Sequence, residues 1–137
     1  MSIIIRDDGF HDDDLNLTFL PLADLPEPGI ARAIDIVPAD QVATLSNRLG
    51  GVEAIRIAFP AFSDGRGFTL AKQLREMGFA GRLRAVGNLL PDQYAMARRA
   101  GFDEVEISDE RAQRLTEDDW KRRANWRAHN YQARLRA

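Results

Sequence analysis

From Val52 to Ile107 the chain switches repeatedly between strand and helix patterns across connections of only a few residues, which few architectures tolerate. Ile55, Ile57 and Phe59 alternate with Arg56 and Ala58, which predicts a strand over 52–59. Phe68, Ala71, Leu74 and Met77 then recur at helical spacing, and Gly78 stops that helix. Residues 83–86 are the next expected strand, 92–100 a helix stopped by Gly101, and 104–107 a further strand. Connections this short argue for parallel strands joined by right-handed crossovers.

Upstream, residues 3–6 and 15–20 read as short strands with Asp8-Gly9 as a turn signal between them, so an N-terminal β-hairpin is expected. Three prolines and a glycine make 21–29 an irregular connection. Residues 34–37 suggest another strand. Pro38 suits the first turn of a helix carrying Val42, Leu45 and Leu49, which Gly50-Gly51 ends. A last helix over 116–135 is expected, with Trp120, Ala124, Ala128, Tyr131 and Leu135 along one stripe. The expected fold is a single small α/β domain over 1–137, in two or three layers, with a mostly parallel sheet. It comprises a hairpin and proline-rich connection (1–33), a βαβαβ core (34–107) and the C-terminal helix.

With 45% hydrophobic and 29% charged residues, the composition is that of an ordinary globular domain. There is no cysteine, hence no thiolate nucleophile and no cysteine-ligated cluster. No apolar stretch is long enough to cross a membrane, and the first residues lack a secretion signal, so a cytoplasmic location is expected. The net charge of −2 conceals an asymmetry. Residues 1–40 hold nine acids and two arginines, whereas 120–137 hold six cations (Lys121, Arg122, Arg123, Arg127, Arg134, Arg136) and no acid. Such a tail would contact nucleic acid, an acidic partner or the acidic start of a second copy in a homodimer. It would equally be a solvated helix whose first-turn acids Glu117, Asp118 and Asp119 complement its dipole. Trp126 and Tyr131 are the only aromatics interleaved with these cations, which favours the solvated helix.

The polar residues fall where two strands hand over to helices, which is where α/β proteins build ligand sites. Ser63-Asp64-Gly65-Arg66-Gly67 opens a helix, so its backbone N–H groups would point outward, the glycines would permit positive φ, and Arg66 would clamp an oxyanion. Read structurally, Ser63 or Asp64 caps the helix and Arg66 pairs with a nearby acid. No third glycine or Gly-Lys-Ser/Thr is present, so neither a dinucleotide fingerprint nor a P-loop exists here. The loop from Gly87 to Gln93 should emerge beside the first, bringing Asn88, Asp92 and Gln93 towards Asp64 and Arg66. Asp64 and Asp92 are thus a candidate carboxylate pair for acid–base work or a divalent metal, or alternatively, as such acids more often are, two helix caps. His11 and His129 have no metal-ligand spacing, and no metal is expected.

At these residues the chain resembles a bacterial family of unknown function described as an oxidoreductase of sulfite reduction, encoded beside the haemoprotein subunit of assimilatory sulfite reductase. The resemblance rests on Phe59-Pro60, Asp64-Gly65-Arg66-Gly67-Phe68, Leu83-Arg84-Ala85-Val86-Gly87, Asp92-Gln93 and Gly101-Phe102-Asp103. It spans roughly 1–107, weakly before Val52, and departs from the family pattern at Asn88 and Pro91. It implies a pathway, with sulfite reductase components or a small oxyanion as partners. No cofactor is indicated, and without cysteine a self-contained redox enzyme would need one. Three functions are therefore carried forward. The first is an accessory protein of sulfite assimilation with a site built from Ser63, Asp64, Gly65, Arg66, Gly67, Arg84, Asn88, Asp92 and Gln93. The second is a small enzyme acting on an anionic metabolite with an aspartate base. The third is nucleic-acid binding through the basic C-terminal helix.

Overall fold

A computed structural model describes residues 2–25, 31–46, 48–61 and 63–122. The strands are β1 (Ser2–Arg6), β2 (Gly9–His11), β3 (Leu20–Pro21), β4 (Ala33–Ile36), β5 (Ala54–Phe59), β6 (Arg82–Gly87) and β7 (Glu104–Ser108). The helices are α1 (Arg66–Glu76), α2 (Tyr94–Ala100), α3 (Asp109–Arg114) and α4 (Glu117–Lys121). The strands form one sheet in the order β2-β1-β7-β6-β5-β4-β3. From β3 to β7 every pairing is parallel, and β1 runs antiparallel to both β2 and β7.

From β4 to β7 each crossover moves one strand in the same direction. Crossovers of one hand then put all their connections on one face. The side chains agree. Ile34, Ile36, Ile55, Ile57, Phe59, Leu83, Ala85, Val105 and Ile107 meet Leu70, Ala71 and Leu74 of α1 and Tyr94, Ala97 and Ala100 of α2 in one buried cluster. Each fully buried aliphatic side chain there contributes about 1.5–3 kcal/mol.

Strand alternation sends the intervening residues to the opposite face, and these include Arg56, Arg84, Glu104 and Glu106. Residues 12–19 cross that face as a strap from the β2 edge to the β3 edge. Asp14 reaches Arg6 and Arg82, Asp13 reaches Arg84, and the Phe19 ring lies 4.2 Å from the Arg56 guanidinium carbon.

Several expected elements differ. The hairpin partner of β1 is β2, not residues 15–20; a two-residue turn at Asp7-Asp8 makes it, with Gly9 at φ +124°. In 15–20 the side chains do alternate between half-buried and exposed. That pattern records one covered face, which a strap crossing a sheet has without joining it, and only Leu20 and Pro21 pair with β4. The helix expected over 38–49 shrinks to a single turn, Val42–Leu45. Asp40 accepts from the Val37 N–H and Thr44 donates to the Gln41 carbonyl, side-chain bonds that compete with a regular helix. Helix α3 was not expected; Ser108 caps it by accepting from the Arg111 N–H. The last helix starts as expected, at a Thr116–Asp119 capping box. Residues 123–137, with Trp126, His129, Tyr131 and four of the six cations, lie outside the described residues.

Candidate functional site

The two polar loops do emerge side by side. Asn88 donates its backbone N–H to the Phe59 carbonyl (2.9 Å) and its side-chain amide to the Pro60 carbonyl (2.6 Å), tying the end of β6 to the end of β5. The approach requires Gly87, whose φ is +126° and whose position would place a Cβ 2.5 Å from the Phe59 carbonyl oxygen. Phe59 in turn packs on Phe68 and Phe102, with ring centroids 4.9 and 5.8 Å away, so the first loop starts from a rigid floor.

In that loop Arg66 folds back on Asp64. Its Nε and Nη2 donate at 3.0 and 2.8 Å, and its backbone N–H at 3.2 Å. The hydrogen bond from Arg66 holds the Asp64 carboxyl below its ordinary range. A general base at neutral pH requires the opposite shift, so Asp64 is a poor one. Ser63, Gly65, Arg66, Asn88 and Asp92 are exposed. Gln93 is a cap, its Oε1 accepting from the Leu90 N–H at 2.9 Å. Asp92 borders a cleft of about 700 Å3 between Leu90, Pro91, Leu115, Asp119 and Arg122.

Neither loop glycine has positive φ. Gly65 sits at −82°, contrary to expectation, with no described residue within 4 Å of where a Cβ would lie, while a Cβ on Gly67 would meet the Phe59 ring at 2.4 Å. Gly67→Ala is therefore expected to cost about 1–3 kcal/mol through overpacking, and Gly65→Ala to stay within about 0.5 kcal/mol. Urea unfolding midpoints of the two variants check this contrast, and equal midpoints would contradict the packing.

Arg84 does not join the others. It lies mid-strand on the strap-covered face with its side chain 1% exposed. Its Nε donates to Glu104 (2.6 Å), Nη1 to Glu106 (2.9 Å), and both terminal nitrogens to Asp13 (3.1 Å). Burial alone would lower its pKa, but Asp13, Glu104 and Glu106 together raise it above the ordinary value. Every donor nitrogen is engaged, which leaves no fork for an incoming oxyanion.

This charged face is the feature that reading along the chain overlooks. Arg56, Arg84, Glu104 and Glu106 occupy alternate positions of three strands, and Asp35 pairs across to Arg56 from β4. The signal was in the parity of those positions. At its carboxyl-end corner the same face opens into a cavity of about 460 Å3, whose lining includes Asp35, Asp40, Arg56, Ala58, Val86 and Glu106.

Fold and site together define a two-layer α/β domain that closes its second sheet face with an acidic strap and displays polar loops at the carboxyl edge of its parallel strands. The chain belongs to the family described as bacterial protein of unknown function (DUF934), whose model matches residues 33–137. That match begins at β4 and includes the C-terminal segment, where the resemblance drawn from motifs began at Met1 and ended near Ile107. No curated protein and no solved structure matches the chain. Among the described residues no helix is long and apolar enough to cross a membrane.

Proposed function

We propose that the chain is an accessory protein of assimilatory sulfite reduction that docks a partner, such as a sulfite reductase component, on the loops at its carboxyl edge. The supporting observation is the Asn88 bridge to Pro60, which joins the two loops into one exposed surface carrying Ser63, Arg66 and Asn88. The pathway comes from the family resemblance. Partner contact is favoured over catalysis because the carboxylate nearest the loop centre, Asp64, is neutralised by Arg66. It is favoured over a small oxyanion because Arg84 is on the other face, so the loops offer an anion one guanidinium whose Nε and Nη2 already serve Asp64, while Nη1 makes no hydrogen bond among the described residues and is open to a partner.

Two arms test this reading. Deleting the gene should abolish growth on sulfate and spare growth on cysteine; equal growth on both would remove the pathway. In the deleted strain, Arg66→Ala should fail to restore growth on sulfate although its unfolding midpoint matches that of the parent. Its affinity for sulfite reductase components should fall about 10- to 100-fold, the range for one lost charged hydrogen bond. Full restoration by Arg66→Ala would make the loop scaffolding.

A further inference from the structure

None of the described residues that line the cavity on the strap-covered face belongs to the two carboxyl-edge loops, and a ligand held there is independent of the sulfite reading. We propose that it binds a small organic cation, an ammonium or guanidinium group carried on a compact apolar body.

Shape is the first argument. Along β5 and β6, Ala58 and Val86 succeed Arg56 and Arg84 on the same face, so the surface passes from filled to hollow. The resulting space of about 460 Å3 falls within the ordinary range for small-molecule clefts, and it lies at the carboxyl ends of parallel strands, where open α/β sheets bind ligands.

Charge is the second. Among the described residues that line the cavity are three carboxylates, Asp35, Asp40 and Glu106, and one guanidinium, Arg56; Arg84 pairs with Glu106 from outside the lining. All three Arg56 nitrogens already donate. Nε and Nη2 donate to Asp35 at 2.7 and 2.9 Å, Nη1 donates to Glu106 at 3.4 Å, and its plane lies over the Phe19 ring. An anion entering here would find only the remaining N–H groups of an arginine already paired with two carboxylates, and would meet those carboxylates beside it.

Acceptors, by contrast, remain open. Asp40 uses Oδ2 on the Val37 N–H at 2.9 Å, and its Oδ1 takes no hydrogen bond among the described residues. Glu106 receives Arg84 and Arg56 on Oε1, leaving Oε2 in the same condition. An ammonium supplies three donors and one positive charge, which suits two open carboxylate oxygens beside an apolar wall.

The test uses three probes with one apolar body and different charge: phenylbutylamine, phenylbutanol and phenylbutyrate. Each is titrated into isotope-labelled protein while backbone amide shifts are followed. The amine should give saturable shifts at Ala58, Val86 and Val37, with Kd on the order of 1 mM for a ligand of this size. The alcohol should bind at least about fivefold more weakly, and the carboxylate should not saturate. Asp40→Asn should weaken the amine about fivefold and leave the alcohol unchanged. Ala58→Leu should fill the cavity and abolish binding of both. Thermal unfolding checks that each variant is folded, and if Ala58→Leu is not, Asp40→Asn decides alone. Binding of phenylbutyrate as tight as that of the amine, no saturable shift with any probe, or amine binding indifferent to Asp40→Asn would each overturn the proposal.

Discussion

Arg84→Ala is expected to destabilise the protein by about 3–5 kcal/mol, because it removes one partner of a buried ion network and keeps the others buried. Glu104 and Glu106 have side chains 2% and 11% exposed, and Arg84 makes the shortest contacts to both. Without it Glu104 retains Arg6 at 3.1 Å and Arg82 at 3.6 Å, and among the described residues Glu106 retains only Arg56 at 3.4 Å. The loss is a large fraction of the whole stability of an ordinary domain. Arg84→Met combined with Glu104→Gln and Glu106→Gln removes the charges together and should recover most of it, since neutral groups need no counterion. Urea unfolding of both variants measures the difference. A cost below about 1 kcal/mol for Arg84→Ala would show a network already solvated. The strap adds a pH dependence. Burial would raise the Asp13 and Asp14 carboxyls, but Arg84, Arg82 and Arg6 outweigh it and hold both below their ordinary value of 3.8. Groups depressed in the folded state stabilise it above their unfolded pKa, so this contribution is complete at neutral pH and is lost on acidification below about 4.

Trp120→Ala is expected to cost a similar amount, about 3–5 kcal/mol, through the cavity it leaves. Trp120 is 1% exposed, meets the Tyr94 ring edge-on at 6.4 Å, and donates its indole N–H to the Leu115 carbonyl at 3.2 Å. It anchors α4, which also guards the sheet edge: Glu117 accepts from the Phe10 N–H of β2 at 2.8 Å. Trp120 packs within its own chain, so removing the chain from residue 117 onward should unfold the protein and not release a folded monomer. Calorimetric melting of the point variant and the truncation checks both statements. The homodimer expected from the basic tail rests mostly on positions outside the described residues, among them Arg123, Arg127, Arg134 and Arg136.

The stretch from β5 to β7 was legible because each element carries its own period and each helix ends at a glycine. Short crossovers then left little choice about neighbours. The side-by-side emergence of the two loops followed directly from that order. What could not be read was whatever depends on partners far along the chain. Nothing local in residues 3–6 says that they pair with 104–108, and the alternation in 15–20 fits a strap as well as a strand. Arg84 shows a different failure. It stands three residues before a loop and invites assignment to that loop, yet Leu83 and Ala85 on the helix side already commit it to the far face. The glycines misled for a local reason. Gly67 is required by the Phe59 ring, and no pattern of turn residues encodes which ring a helix will rest on.

The position of β1 bears on the order in which the molecule can be assembled. Ile3 faces Ile107 and Ile5 faces Val105, and Arg6 reaches Glu104 across a sequence separation of 98 residues. Closing so long a loop is entropically slow, whereas the parallel strands from β4 to β7 each meet a neighbour soon after it is made. During synthesis, residues 2–25 therefore leave the ribosome well before the strand that holds β1 exists. Until then Arg84 has neither Glu104 nor Glu106, the carboxylates that make its shortest contacts. Completing the sheet is thus also the step that supplies those carboxylates, so a nascent chain arrested before β7 would carry Arg84 without them.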